Sequence, residues 1–345
     1  NADGHEYITK AVAAGAVAVV CEEVPGELKE GGVYVKTGNS SEALGVMSSN
    51  FYGNPSRRMK VVGVTGTNGK TTTATLLYEL VRLLGRKAGL LSTVCNYIGD
   101  ERVHAAHTTP DAMEINELMS RMVEVGCEYC FMEVSSHAID QRRISGLDFD
   151  GAIFSNITHD HLDYHKTFKA YIEAKKAFFD HLPKKAFALT NGDDKNGMVM
   201  LQNTVARKYT YSCRRMADFN CKTLERHLDG TLLLLDGSEV WTRFVGDFNA
   251  YNLLAVYASA RFRERGIVAR DEYAGAGVGT FRDHFIERGG DGYRGLRTHA
   301  GCVGECVVDD RGTEERGAGD HGGWCRGGSG PDETARNGGG CLSVE

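Results

Sequence analysis

The sequence predicts an α/β protein. Its centre is a P-loop-type, doubly wound, mostly parallel sheet, preceded by a truncated small α/β domain and followed by a tail expected to be disordered. Three observations carry this expectation. Between residues 59 and 190, short apolar runs alternate with segments of helical periodicity. Residues 61–73 read as a hydrophobic strand, a tight glycine loop, then a lysine and threonines opening a helix. From about His284 to Glu345 glycine rises to about a quarter of residues, four cysteines appear and no periodicity survives. Such a composition buries too little apolar surface to offset chain entropy.

In order, residues 8–18 predict a helix, followed by strands at 18–21 and 32–35, and Asn54-Pro55-Ser56 marks a linker. A second domain starts at Met59 with strand 61–65, helix 70–84, strand 88–92, helix 111–125, strands 129–134 and 151–156, helix 167–181 and strand 186–190. Leu76, Leu77, Leu80, Val81 and Leu84 recur at helical spacing, which makes one buried face. Residues 218–245 predict short antiparallel strands, and the stretch from Gly246 to Asn252 opens a helix running to about Arg265. The expected domains are 1–58, 59–270 and 271–345.

Net charge is −6 with both signs scattered, so no basic stripe argues for nucleic acid. No apolar run reaches the length of a membrane span and no signal peptide is visible, which together with the thiols suits a cytoplasmic protein. The absence of an initiating methionine suggests a fragment that has lost its true N-terminus. Cys127 and Cys130 form a C-x-x-C, but Cys130 opens an apolar run, where a buried strand thiol is the simpler reading than redox or metal work.

Four segments carry chemistry. The first is Thr65-Gly-Thr-Asn-Gly-Lys-Thr-Thr. Backbone N–H groups of Gly66, Thr67, Asn68, Gly69, Lys70, Thr71 and Thr72 would face phosphates at a helix N-terminus, with Lys70 as a point charge and Thr71 on Mg²⁺. A strict Walker loop wants glycine where Val64 stands, so this is a variant loop. The second, Asn156 to His165, places three histidines and two aspartates at a strand's carboxyl end, as metal or phosphate chemistry or as a solvated turn. The third, Phe131-Met-Glu-Val-Ser-Ser-His137, puts Glu133 in an apolar strand, where it needs a cation, Mg²⁺ beside a P-loop, unless it reaches solvent. The fourth is the helix of Tyr171 to Phe179, whose Lys175 and Lys176 point in different directions.

Together these resemble the Mur ligase family, ATP-dependent enzymes that add amino acids to the nucleotide-linked peptidoglycan precursor. The resemblance runs from residue 1 to about 283. Asp3-Gly-His-Glu-Tyr-Ile, His107-Thr-Thr-Pro-Asp111, Glu133-Val-Ser-Ser-His-Ala and Asp160-His-Leu-Asp-Tyr-His look like the diamino-acid-adding members, not the D-Ala-D-Ala-adding ligases or folylpolyglutamate synthetase. The resemblance implies ATP and Mg²⁺, a UDP-MurNAc-L-Ala-D-Glu carboxylate activated as an acyl phosphate, and attack by a diamino acid, meso-diaminopimelate or L-lysine. It implies a monomer. It assigns Lys70, Lys175 and His161 to catalysis, and Thr71, Glu133, His161 and a carbamylated Lys175 to metal. Thr108, Thr109, Ser135, Gln141 and Arg143 become contacts to the UDP-MurNAc-dipeptide, and Asn249 and Asn252 adenine partners.

The tail departs from the family. An Asp-Tyr-Ala-His-Thr-Pro-Asp-Ala-Leu-Glu stretch and a Gly-Asp-Arg-Asp-x-Thr-Lys-Arg-Pro-Glu-Met-Ala stretch are expected there and absent. Codons for the first, read one base early, give Gly-Leu-Arg-Thr-His-Ala-Gly-Cys-Val-Gly, which is residues 295–304. The second, shifted alike, gives Gly-Ser-Gly-Pro-Asp-Glu-Thr-Ala-Arg-Asn-Gly, residues 328–338. Two matches in one phase point to a reading frame that slips near residues 275–290, and hence to a chain poor or inactive as a ligase.

Overall fold

The computed structural model describes residues 3–26, 28, 32–160 and 162–261. The expectations for residues 262–345, including the last turn of the final helix, lie outside the described residues.

The N-terminal unit runs from a 3₁₀ turn, Gly4–Tyr7, into α1 (Ile8–Ala13), β1 (Ala18–Cys21), β2 (Val33–Lys36) and α2 (Ser40–Phe51). Helix α1 is shorter than the expected 8–18, because the chain turns at Gly15 with φ 101° before β1 begins. Strands β1 and β2 pair in parallel as a two-stranded sheet. Helix α2 was not expected, because its apolar residues do not make one clean face; its signal is the cap. Asn39 accepts from Glu42 N–H at 2.8 Å, satisfying one of the free amides of the first turn. Asn54, at φ 53°, and Pro55 then turn the chain through Pro55–Arg57 into the large sheet.

That sheet begins with β3 (Lys60–Thr65), α3 (Lys70–Leu83), β4 (Ala88–Leu91), β5 (Asn96–Ile98) and β6 (Glu101–Val103). It continues through α4 (Ala112–Glu124), β7 (Tyr129–Glu133), α5 (Ser136–Asp140), β8 (Gly151–Phe154), α6 (Leu162–His165), α7 (Phe168–Asp180), β9 (Phe187–Asn191) and α8 (Gly197–Met200). The last elements are β10 (Arg207–Ser212), β11 (Phe219–His227), β12 (Gly230–Leu235), β13 (Ser238–Thr242) and α9 (Asp247–Arg261). Among the described residues these make one 11-stranded sheet, in the order β13-β12-β11-β10-β9-β8-β3-β7-β4-β5-β6.

From β11 to β4 every neighbouring pair is parallel, and the two ends are antiparallel. The antiparallel reading of 218–245 holds for β11–β13. However, β10 and its parallel pairing with β11, and the β5–β6 hairpin, were not foreseen, because short strands with mixed polarity give no firm period.

The alternation of side chains shows that both faces are covered. Val62 and Val64 of β3 and Phe131 of β7 pack with Leu77, Leu80 and Val81 of α3 and Leu254 of α9. Val61, Cys130 and Met132 point the other way, onto Ile115 and Met119 of α4 and Phe178 and Phe179 of α7. Each such large apolar side chain contributes about 1.5–3 kcal/mol on burial. Cys127 and Cys130 are free and buried, and burial pushes both thiols up, away from the reactive thiolate.

This topology positions the site. The chain enters at β3, goes one way to β4 and β7, and the other way to β8 and β9. The carboxyl end of β3 is therefore the switch point, where adjacent connections diverge and leave a crevice. Among the described residues no helix is long and apolar enough to cross a membrane.

Candidate functional site

The crevice holds a cleft of about 960 Å³ at the carboxyl ends of β3, β7, β8 and β9. Its floor is the loop between β3 and α3. Gly66 has φ +153°, and a Cβ there would stand 1.9 Å from Ser155 Oγ. Gly69, the N-cap of α3, has φ +83°, and a Cβ there would stand 2.4 Å from Asn252 Oδ1. The loop is thus glycine where the backbone is left-handed or closely approached. Asn68 N–H donates to Asn156 Oδ1 at 3.0 Å, Thr67 N–H to the Asn156 carbonyl at 2.8 Å, and Ser155 Oγ to the Asn68 carbonyl at 2.6 Å. The segment after β8 therefore braces the loop, which then presents the N-terminus of α3 to the cleft.

Lys70 Nζ donates to the carbonyl oxygens of Gly66 (3.1 Å) and Thr67 (2.7 Å). Lys175, in the middle of α7 and 1% exposed, donates to the same Gly66 oxygen at 2.8 Å and lies 4.7 Å from the Tyr171 ring centre. Burial, and next the nearby Lys70 charge, hold the Lys175 ammonium well below the usual lysine range, against an opposing pull from Asp160. Tyr171 shares a hydrogen bond with Thr67 Oγ1 at 3.2 Å, and burial pushes its phenol up to about 12.

Across the loop, Glu133 ends β7 at 1% exposure. It accepts from Thr71 Oγ1 (2.8 Å), Thr93 N–H (2.7 Å) and Thr93 Oγ1 (3.2 Å). Burial raises its pKa, opposed by the Lys70 charge and the threonine donors. The alternative that Glu133 reaches solvent is excluded by its burial. This donor set suits a divalent cation: a buried carboxylate and an adjacent hydroxyl are hard oxygen ligands. Among the described residues there is no group of three or more His, Cys, Asp or Glu able to hold a metal ion.

One arm of the cleft continues from Glu133 through Thr109, whose Oγ1 donates to the Glu133 carbonyl at 2.8 Å and accepts from Ser135 N–H at 3.1 Å. Arg143 Nη1 donates to the Thr109 carbonyl (2.8 Å), and its Nε and Nη2 form a fork on Gln141 Oε1 (3.0 and 2.7 Å). Gln141 donates onward to Tyr164 OH at 3.2 Å, which donates to Asp140 at 2.7 Å. The other arm is α9. Asn252 lines the cleft, whereas Asn249 sits behind it, donating to the Val245 carbonyl at 2.9 Å.

The structure thus brings Thr67–Thr72, Thr108, Thr109, Glu133, Ser135, Arg143 and Asn252 onto one cleft. Gly66, Gln141, Lys175 and Asn249 stand one layer behind its lining. Asn249, expected beside adenine, donates to the Val245 carbonyl just before α9 and accepts from Asn252 Nδ2 at 3.4 Å. His161 lies outside the described residues. Sequence reasoning gave no individual role to the lining residues Thr93, His107, His137, Ser155, Asn156, Asn191, Arg214, Asp247, Phe248 and Tyr251, although His107, His137 and Asn156 lie in segments it singled out. Their common signal is position at or within a few residues of a strand's carboxyl end, or in the first turns of α9.

The family profile of the Mur ligase middle domain matches residues 64–260. The chain is 62% identical, over 258 residues, to the UDP-N-acetylmuramoyl-L-alanyl-D-glutamate–2,6-diaminopimelate ligase of Parabacteroides distasonis, covering 75% of this chain and 53% of that protein. It is 57% identical to the enzyme of that name from Bacteroides fragilis, over 258 residues and the same shares of each chain. A solved UDP-N-acetylmuramoyl-L-alanyl-D-glutamate–2,6-diaminopimelate ligase superposes with a TM-score of 0.68 at 27% identity, covering 81% of this chain and 56% of that one. The chain spans about half the length of the curated relatives it matches. With its variant phosphate loop on β3, the buried Glu133 facing it and the profile match across the sheet, the chain belongs to the Mur ligase family.

Proposed function

We propose that this chain derives from an ATP-dependent ligase that joins a diamino acid, 2,6-diaminopimelate, to UDP-MurNAc-L-Ala-D-Glu. The observation that carries the proposal is the shared cleft: a phosphate loop with Lys70, the Thr71–Glu133 pair, and the Arg143 fork all open onto one space. The names of the relatives supply the substrates, diaminopimelate included. In this reading residues 1–58 belong to a UDP-binding domain, residues 59–270 form the ATP-binding domain, and the enzyme works as a cytoplasmic monomer.

The chemistry requires a substrate carboxylate to approach the γ-phosphate of ATP. Two anions must meet, so fixed positive charge and oriented donors have to lie between them. Lys70 leaves the Gly66 and Thr67 carbonyls to engage phosphate oxygens, exchanging neutral acceptors for charged ones. The α3 N-terminus faces the same phosphates with its first-turn amides. Glu133 and Thr71 would hold Mg²⁺, which when bound neutralises phosphate charge. Arg143, already braced by Gln141, orients the dipeptide's carboxylate with Ser135 and Thr108. Lys175 and His161 would serve a second cation once Lys175 is carbamylated. An amine kept neutral by burial is the form that can add carbon dioxide. The acyl phosphate is then open to the amine of the diamino acid, with loss of phosphate.

The test is ADP release by the chain with UDP-MurNAc-L-Ala-D-Glu and either diaminopimelate or lysine. Release that needs both the dipeptide and diaminopimelate is the expected result for a competent enzyme. A second reading, nucleotide binding without ligation, is favoured for the chain as written by the out-of-frame matches at residues 295–304 and 328–338. It predicts ATP binding with no dipeptide-dependent ADP release.

A further inference from the structure

Two consecutive aspartates at the end of β9 reach in different directions. Asp194 Oδ2 accepts from Ile157 N–H at 2.8 Å, holding the segment after β8 that braces Asn68 and Thr67 of the phosphate loop. Asp193, with a side chain 6% exposed, accepts from Ser212 Oγ (2.8 Å), Cys213 N–H (2.8 Å), Arg214 N–H (3.1 Å) and Tyr251 OH (2.9 Å). The Arg215 guanidinium stands 3.9 Å from it. Tyr251 and Arg214 belong to different elements, α9 and the β10–β11 connection, yet both line the cleft. Burial pushes the Asp193 carboxyl up, but the Ser212, Tyr251, Cys213 and Arg214 donors outweigh it, so the group stays below the usual carboxylate range. A nearly buried carboxylate with four donors is a fixed anchor, because each donor lost would leave a desolvated acceptor.

We propose that Asp193 is a positioning residue for the nucleoside end of the cleft. It fixes Tyr251 and Arg214 as the wall beyond the phosphates, while Asp194 fixes the phosphate loop. One strand end thereby sets the separation between phosphate cradle and base wall. The inference rests on the reading of the cleft as a nucleotide site.

The experiment is equilibrium titration of the 345-residue chain, in magnesium buffer, with ATP, ADP and inorganic triphosphate. Asp193→Asn keeps the volume but cannot accept all four donors. It is expected to weaken ATP and ADP by about tenfold or more while triphosphate changes less than about twofold. Tyr251→Phe, which removes one donor and keeps the ring, is expected to act in the same direction and is read in the same way if Asp193→Asn does not fold. Equal loss of triphosphate and ATP, or no loss of ATP, overturns the proposal. Lys70→Ala separates the two levels: if it leaves triphosphate binding intact, the phosphate-cradle reading itself fails, whatever Asp193 does.

Discussion

Lys70 and Lys175 donate to one carbonyl oxygen, that of Gly66, at 3.1 and 2.8 Å. Two ammonium groups on one acceptor repel, and the buried member is the one driven toward neutrality. The unfolded chain would hold the Lys175 proton up to the ordinary lysine range, while the folded chain releases it earlier. Between the depressed folded pKa and 10.5 the unfolded state binds more protons, so this group's contribution to stability grows as pH rises. Lys175→Met, which has no amine to titrate, should lack that component. Urea titrations of both proteins across the alkaline range should show the native chain gaining on the variant as pH increases; parallel curves would reject the assignment.

Glu133 carries the opposite sign. Its folded pKa is raised above 4.5, so the stability it contributes is present below 4.5 and is lost as pH rises through the folded value. Glu133→Gln should therefore gain stability relative to the native chain as pH increases through that window. In magnesium buffer the same variant should bind ATP about tenfold to a hundredfold more weakly, with a smaller effect when a chelator replaces the metal. An equal loss with and without magnesium would remove Glu133 from metal binding.

Gly66→Ala should be more damaging than a surface glycine change. The new methyl would enter Ser155 Oγ at 1.9 Å, at φ +153°. A cost of about 1–3 kcal/mol is expected from the backbone alone, with loss of ATP binding. Gly85→Ala, at φ +76° with open space around it, isolates the backbone component from the clash. Calorimetry on the two variants should give the larger fall in Tm for Gly66→Ala.

Arg143→Lys should not preserve function. The guanidinium makes three hydrogen bonds, to the Thr109 carbonyl and twice to Gln141 Oε1, and an ammonium lacks that fork. The expected result is a loss of about tenfold or more in affinity for UDP-MurNAc-L-Ala-D-Glu, with ATP binding unchanged. Equal losses for both ligands would count against a substrate-specific role.

Resequencing the DNA across codons 270–345 tests the frame reading. One added or removed base should restore both missing stretches in a single phase. A confirmed tail leaves nucleotide binding without ligation as the account of this chain.

The sequence by itself determined the class of fold and the glycine loop between β3 and α3. Alternation of apolar runs with the periodic face of Leu76, Leu77 and Leu80 is local information, and so is a glycine loop followed by Lys70 and Thr71. It also singled out Glu133 as a carboxylate in an apolar strand, because the residues flanking it there are apolar. Only the tertiary structure decided that Glu133 faces Thr71 and Thr93, which stand 62 and 40 residues away along the chain. It also decided that Asn249 bonds the Val245 carbonyl while Asn252 lines the cleft, and that Asp193 gathers Ser212, Arg214 and Tyr251. The physical reason is that these relations are set by strand order. The sheet order β9-β8-β3-β7-β4 brings distant strand ends to one edge, and no local period encodes which strands will be neighbours.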